Sequence, residues 1–187
     1  GVGNNSNDYG AAYLFSFDST NGVTDFTNGT LEATIGYGYT GGKNIDLSAK
    51  LDIGDLFGSG IALNNVGNQL AVGARDDDGG YLNNQTNSGA VYLYNFSNNI
   101  FSGATHKATI GKNYTGSDDI NLGLDNSDRF GQSVSFNASG DRLAVGAWYD
   151  DGFGNTNTNT GAAYMFSEAT SFIGKQVSDA VYATLPD

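Results

Sequence analysis

Phe57-Gly58-Ser59-Gly60-Ile61-Ala62-Leu63-Asn64, followed after a short turn by Leu70-Ala71-Val72-Gly73-Ala74, decides how the chain is read, because it occurs twice. The second copy is Phe130-Gly131-Gln132-Ser133-Val134-Ser135-Phe136-Asn137 with Leu143-Ala144-Val145-Gly146-Ala147. Each run is short, apolar or β-branched, and bounded by Gly, Asn or Asp, which is how strands read. The turns between them, Asn64-Asn65-Val66-Gly67-Asn68 and Asn137-Ala138-Ser139-Gly140-Asp141, supply Asn and Gly for the positive φ of a tight hairpin. Leu70 to Ala74 is apolar throughout, as in a strand covered on both faces.

Outward from this hairpin, Gly89-Ala90-Val91-Tyr92-Leu93-Tyr94 returns as Gly161-Ala162-Ala163-Tyr164-Met165-Phe166 and appears earlier as Gly10-Ala11-Ala12-Tyr13-Leu14-Phe15. Leu31-Glu32-Ala33-Thr34-Ile35-Gly36 returns as His106-Lys107-Ala108-Thr109-Ile110-Gly111, with an echo at Tyr182-Ala183-Thr184-Leu185. Ala33, Ala108 and Ala183 set the period at 75 residues. The expected fold is all-β: tandem four-stranded antiparallel units, either β-propeller blades or an open linear array. Residues 1–50 read as a partial repeat of two strands and a connecting loop, 51–124 as a full repeat, and 125–187 as a second repeat ending after its fourth strand. A closed propeller takes about four to eight blades. The expectation is therefore a piece of a longer array, or a subunit completed by other copies.

Composition narrows the partners. The chain has 28 Gly, 11 Tyr and 11 Phe, with 39% hydrophobic residues, enough for a packed β core and unsuited to helices. A net charge of −12 with eight Lys and Arg argues against nucleic acid and anionic membrane. There are no cysteines, which excludes disulfides and thiolate chemistry. Apolar runs of about five residues predict no signal peptide and no membrane insertion.

The pairing of Phe57-Gly58 with Leu70–Ala74, and of Phe130-Gly131 with Leu143–Ala147, resembles the FG-GAP repeat of integrin α-subunit propellers and large bacterial extracellular proteins. The Ala-Thr-Ile-Gly segments and Tyr39-Thr40-Gly41 and Tyr114-Thr115-Gly116 look most similar to tandem versions in long bacterial surface or adhesin-like proteins. The resemblance implies a secreted or cell-surface structural or adhesive module. Such a module assembles by β-unit stacking or strand-edge pairing into a fibre, stalk or scaffold, with other copies or neighbouring repeats as partners. The alternative is a ligand-binding propeller whose loops, aided by calcium, recognise a protein or glycan. Integrin-type repeats often carry an Asp-rich calcium loop before the Leu-Ala-Val-Gly-Ala strand. Short turns around Gly67 and Gly140 stand there instead, so that site is not carried over.

A different acidic cluster repeats. Asp76, Asp77 and Asp78 precede Gly79, and Asp150 and Asp151 precede Gly152. Calcium takes six to eight hard oxygens from flexible loops, which makes these five candidate ligands. The competing reading is that they hold turns by accepting backbone N–H bonds. Asp55 and Asp128, two residues before each Phe-Gly, read as turn-fixing residues. Candidate contact residues for a ligand are Trp148 and Tyr149, where the other copy has Arg75 and Asp76, and the loop tyrosines Tyr39 and Tyr114. Phe57 and Phe130 recur and read as packing residues. Catalysis finds no support: His106, the one histidine, stands where other copies have Leu31 and Val181 and reads as an exposed strand-edge residue. Neither a Ser-His-Asp set nor a phosphate loop nor a zinc pattern is present, so no enzyme is expected.

Overall fold

The computed structural model describes residues 7–17, 19–20, 23–24, 26, 28–80, 84 and 86–167. It is all-β, and the single 3₁₀ turn at Phe153–Asn155 is the only helical element among the described residues. In the first sheet β1 (Ala11–Ser16) pairs antiparallel with β4 (Thr30–Gly36), and β5 (Ile45–Asp46) adds to β4 in parallel. A small hairpin, β2 (Ser19–Thr20) and β3 (Val23–Thr24), lies in the connection. The second sheet is an antiparallel meander of β6 (Phe57–Leu63), β7 (Gln69–Ala74), β8 (Ala90–Asn95) and β9 (Thr105–Gly111), with β10 (Ile120–Asn121) parallel to β9. The third repeats its first three strands as β11 (Phe130–Phe136), β12 (Arg142–Ala147) and β13 (Ala162–Ser167). The expected fourth strand of that unit, around Tyr182–Leu185, falls outside the described residues.

The complete unit thus has a fifth, parallel strand that the repeat pattern did not lead us to expect. Side chains hold it in place. Asn44 Oδ1 accepts the Thr34 N–H at 2.8 Å and Asp46 Oδ1 accepts the Gly38 N–H at 2.8 Å. In the next unit Asp119 Oδ1 takes the Thr109 N–H at 2.7 Å and Asn121 Oδ1 takes the Asn113 N–H at 2.9 Å. The hairpin turns form as expected: Asn64 Oδ1 accepts the N–H groups of Asn68 and Gln69, and Asn137 Oδ1 those of Gly140 and Arg142.

The sheets stack face to face, and the two cores are the two junctions between them. Ala12, Leu14, Ala33 and Ile35 of the first sheet meet Leu70, Val72, Tyr92 and Tyr94 of the second. On the opposite face of β8, Val91 and Leu93, with Ala108 and Ile110, meet Leu143, Val145, Tyr164 and Phe166 of the third. Strand alternation sends odd and even residues to opposite faces, so β8 is buried on both sides. Backbone bonds repeat at each junction: Phe57 N–H reaches Tyr9 O at 2.9 Å, and Phe130 N–H reaches Ser88 O at 3.0 Å. The second junction closes until backbone meets backbone. A methyl group on Gly73 would fall 1.8 Å from the Gly131 carbonyl oxygen. Ser59, set out of the ladder by a bulge between Phe57 and Gly60, donates its hydroxyl to that same oxygen at 3.2 Å.

Two predictions follow from this packing. Gly73→Ala costs about 3 kcal/mol in urea unfolding, at the upper end of overpacking penalties, whereas Gly123→Ala, with open space around its added methyl, stays within about 0.5 kcal/mol. Tyr94 is 1% exposed and its hydroxyl has no hydrogen-bond partner. Its counterparts on β1 and β13 are Phe15 and Phe166, so Tyr94→Phe stabilises the fold by about 1 kcal/mol in the same assay.

Candidate functional site

The repeated acidic turn lies immediately after β7 and β12, and the third strand of each unit determines what it does. Asp77 is 2% exposed. Its Oδ1 accepts the Gly79 N–H at 2.8 Å, and Tyr92 on β8 donates its hydroxyl to Oδ2 at 2.8 Å. Tyr114, from the loop before β10, donates to both oxygens at 2.9 and 2.8 Å. The Asp77 carbonyl takes the Gly89 N–H at 2.9 Å, which fixes the entry into β8. The next unit repeats the pattern: Asp150 accepts Gly152 N–H at 2.8 Å and the Tyr164 hydroxyl at 2.5 Å, and its carbonyl takes the Gly161 N–H at 2.9 Å. A buried aspartate thus ties the hairpin to the third strand in both units.

A second buried carboxyl stands near each. Asp55 accepts the Asp52 N–H and Asp128 the Asp125 N–H, both at 2.7 Å, closing the turn before each Phe-Gly. Loss of water, and then the charge on Asp77, pushes the Asp55 carboxyl up to about 8. Burial raises Asp77 to about 6, against the pull of its tyrosine and backbone donors. Asp128 is likewise raised to about 6, first by burial and then, among nearby charges, by Asp150. Burial and the Asp77 charge hold the Tyr92 and Tyr114 hydroxyls well above their usual range, so they remain donors.

The five candidate calcium ligands are Asp76, Asp77, Asp78, Asp150 and Asp151, and the other three are placed as follows. Asp78 Oδ1 accepts the Asn87 N–H at 2.7 Å and Asp151 Oδ1 the Asn159 N–H at 2.6 Å. Asp76 faces two guanidinium groups, Arg129 Nε at 3.1 Å and Arg75 Nε at 3.7 Å. Among the described residues no three His, Cys, Asp or Glu side chains converge on a point that could hold a metal. In this geometry Asp77, Asp78, Asp150 and Asp151 each accept at least one backbone N–H, as turn-holding residues do.

The candidate contact residues separate. Trp148, 48% exposed, stacks on Tyr149 with ring centroids 4.4 Å apart and planes 7° from parallel. The Arg129 guanidinium lies 4.9 Å from the Tyr149 ring, so this aromatic pair is held from beneath by a cation that also faces Asp76. Tyr114 is an interior clamp on Asp77, and its counterpart Tyr39 shares a 3.0 Å hydroxyl contact with Tyr13. Neither is a free loop tyrosine. His106 is half-buried, contrary to the exposed position expected: its ring lies 5.5 Å from that of Tyr94 and its Nε2 is 3.0 Å from Thr109 Oγ1. The clamp itself had a readable signal, because a third-strand tyrosine and an aspartate follow Leu-Ala-Val-Gly-Ala in both copies.

The hairpin, the acidic turn and the third strand form one recurring block. Two stretches of the chain match the FG-GAP repeat. The matched residues are 52–94 and 124–166, which contain β6 to β8 up to Tyr94 and β11 to β13 up to Phe166. No curated protein matches the chain. The FG-GAP match ends before β9 and β10, so the outer part of the complete unit lies outside it. Among the described residues no helix is long and apolar enough to cross a membrane.

The raised carboxyls give a pH dependence. Asp55, Asp77 and Asp128 titrate near 4 in the unfolded chain, so the folded protein binds more protons between that value and their folded ones. Their contribution is fully present below about pH 4 and is lost as pH rises toward about 8. The melting temperature is expected to fall from pH 5 to pH 8, and Asp55→Asn to flatten that slope while adding about 2 kcal/mol at pH 8. Calcium or a chelator is expected to leave the melting temperature unmoved; a calcium-dependent rise would show that the acidic turns rearrange around the ion.

Proposed function

We propose that this chain is an extracellular structural or adhesive module that assembles by adding unit to unit along the stacking direction. One observation carries the reading: the chain's two open faces are the two halves of the junction it already builds twice. Ala12 and Leu14, and again Val91 and Leu93, are 0–6% exposed beneath the next sheet, whereas Met165 at the same place on β13 is 61% exposed. Toward the other end, Tyr13 and Phe15 are 45% and 48% exposed, although their counterparts Tyr164 and Phe166 are each 7% exposed against the preceding sheet. Met165 of one copy over Tyr13 and Phe15 of another would recreate the packing of Leu93 over Tyr164 and Phe166. Such a contact joins different surfaces, so it extends head to tail instead of closing as a two-fold pair. The FG-GAP match supports a repeat module, and the acidic, cysteine-free composition suits a secreted or cell-surface location. Calcium is not needed for this mechanism.

A second reading, recognition of a protein or glycan ligand, is favoured by the exposed Trp148–Tyr149 stack, a flat aromatic surface of the kind that sugar faces cover.

Electron microscopy and sedimentation separate the two. Assembly into chains of particles that Met165→Asp abolishes, with the melting temperature unchanged, is the expected outcome. A monomer at all concentrations that binds a glycan array and loses binding on Trp148→Ala would replace the first reading with the second.

A further inference from the structure

The first sheet carries an open edge as well as an open face. β8 is paired along one edge by β7 and β13 by β12, but β1 ends its sheet, with β4 on one side and no strand on the other among the described residues. The side chains around that edge are those that elsewhere receive a hairpin. Tyr13 and Tyr39 occupy the positions of Tyr92 and Tyr114, whose hydroxyls converge on Asp77. Here, among the described residues, the two hydroxyls have only each other, at 3.0 Å. Gly10 occupies the position of Gly89 and Gly161, whose N–H groups donate to the carbonyls of Asp77 and Asp150. No such acceptor reaches Gly10 among the described residues. Stacking a further unit on the face would cover the tyrosine rings but would bring no carboxylate to their hydroxyls.

We infer that β1 is the acceptor edge for a β-hairpin of this same repeat type, running from a Phe-Gly pair to an aspartate turn and presented by a further repeat unit. The chain itself supplies the register. Leu70, Ala71, Val72, Gly73 and Ala74 lie opposite Tyr94, Leu93, Tyr92, Val91 and Ala90, and β12 meets β13 in the same way. The incoming strand therefore places Leu opposite Phe15, Val opposite Tyr13 and Ala opposite Ala11. The aspartate three residues beyond takes the hydroxyls of Tyr13 and Tyr39 on its side chain and the Gly10 N–H on its carbonyl. The Phe of the Phe-Gly pair packs edge-on over Tyr13, as Phe57 does on Tyr92 at 5.5 Å and Phe130 on Tyr164 at 5.2 Å. A bare strand edge pairs with many sequences. The two tyrosines make this one selective, because they require a carboxylate at a fixed distance beyond the strand. The chain's own hairpins are engaged on β8 and β13, so a second copy could offer one only by breaking its own sheet.

This inference rests on the reading that units add to units, and it names the segment added. The probe is a synthetic peptide of residues 128–152, titrated into the full chain by calorimetry and compared with its Asp150→Asn form. Saturable one-to-one binding is expected, weakened about tenfold or more by Asp150→Asn, and by a similar factor in the Tyr13→Phe, Tyr39→Phe double variant. These substitutions keep the rings and the apolar area, so a loss of packing would not produce them. In the double variant the two peptides should bind alike, since the aspartate then has no hydroxyl to meet. Absence of binding, equal binding of both peptides to the unaltered chain, or a dimer formed by exchange of residues 57–79 between copies would each overturn the inference. Assembly that persists while the peptide fails to bind overturns the acceptor edge alone; peptide binding by a chain that never assembles overturns the stacking reading alone.

Discussion

Backbone against backbone, where Gly73 faces Gly131, sets the distance between successive units, and much else depends on it. With no side chain at that point, β11 lies close against β6 and β7. The branched and aromatic residues around the contact are buried together: Val91, Leu93, Phe130, Val145, Tyr164 and Phe166. Close stacking explains why Val91 and Leu93 on that face of β8 are buried.

The acidic turn is thus the polar counterpart of the apolar junction. Within a unit, the hairpin and the third strand come from segments separated by a long loop, and ladder bonds alone would leave their ends to fray. Asp77 joins them with a side-chain clamp and a backbone bond, and Asp150 does so again in the next unit. Buried carboxyls satisfied by neutral donors are costly when ionised. The arrangement therefore trades some stability at neutral pH for a defined geometry at the loop, and the same residues that give the repeat its register give it its acid preference.

The repeated Phe-Gly and Leu-Ala-Val-Gly-Ala segments made the all-β fold and the tight Asn-Gly turns legible in the sequence, because both are local: alternation, turn residues and a fixed period suffice. The parallel strands β5 and β10 were not foreseen. Each pairs through only two residues, too short for any alternation to show, and each is held by Asn or Asp side chains that read simply as loop polarity. The recurring Asn44-Ile45-Asp46-Leu47 and Asp119-Ile120-Asn121-Leu122 were the available trace. The acidic turns were singled out, with turn-holding and calcium ligation both open. Their partners were not foreseen, because Tyr92 and Tyr164 lie on another strand and count as core until their hydroxyls are located. His106 was misplaced because variation between copies was taken for exposure, whereas its ring packs against the Tyr94 side chain.

The two-residue outer strands have a consequence for how such units can grow. A long unpaired strand at the rim of a sheet is a template for sideways fusion. Here the rim beyond β4 and β9 is occupied by a stub that turns away almost at once, its neighbouring N–H groups already capped by Asn and Asp. That rim offers little purchase for lateral pairing, which leaves β1, β6 and β11 as the long strands at the other rim of each sheet. Growth by strand pairing is thereby confined to one rim of each sheet, so units of this kind have a direction: one edge is finished and the other is not.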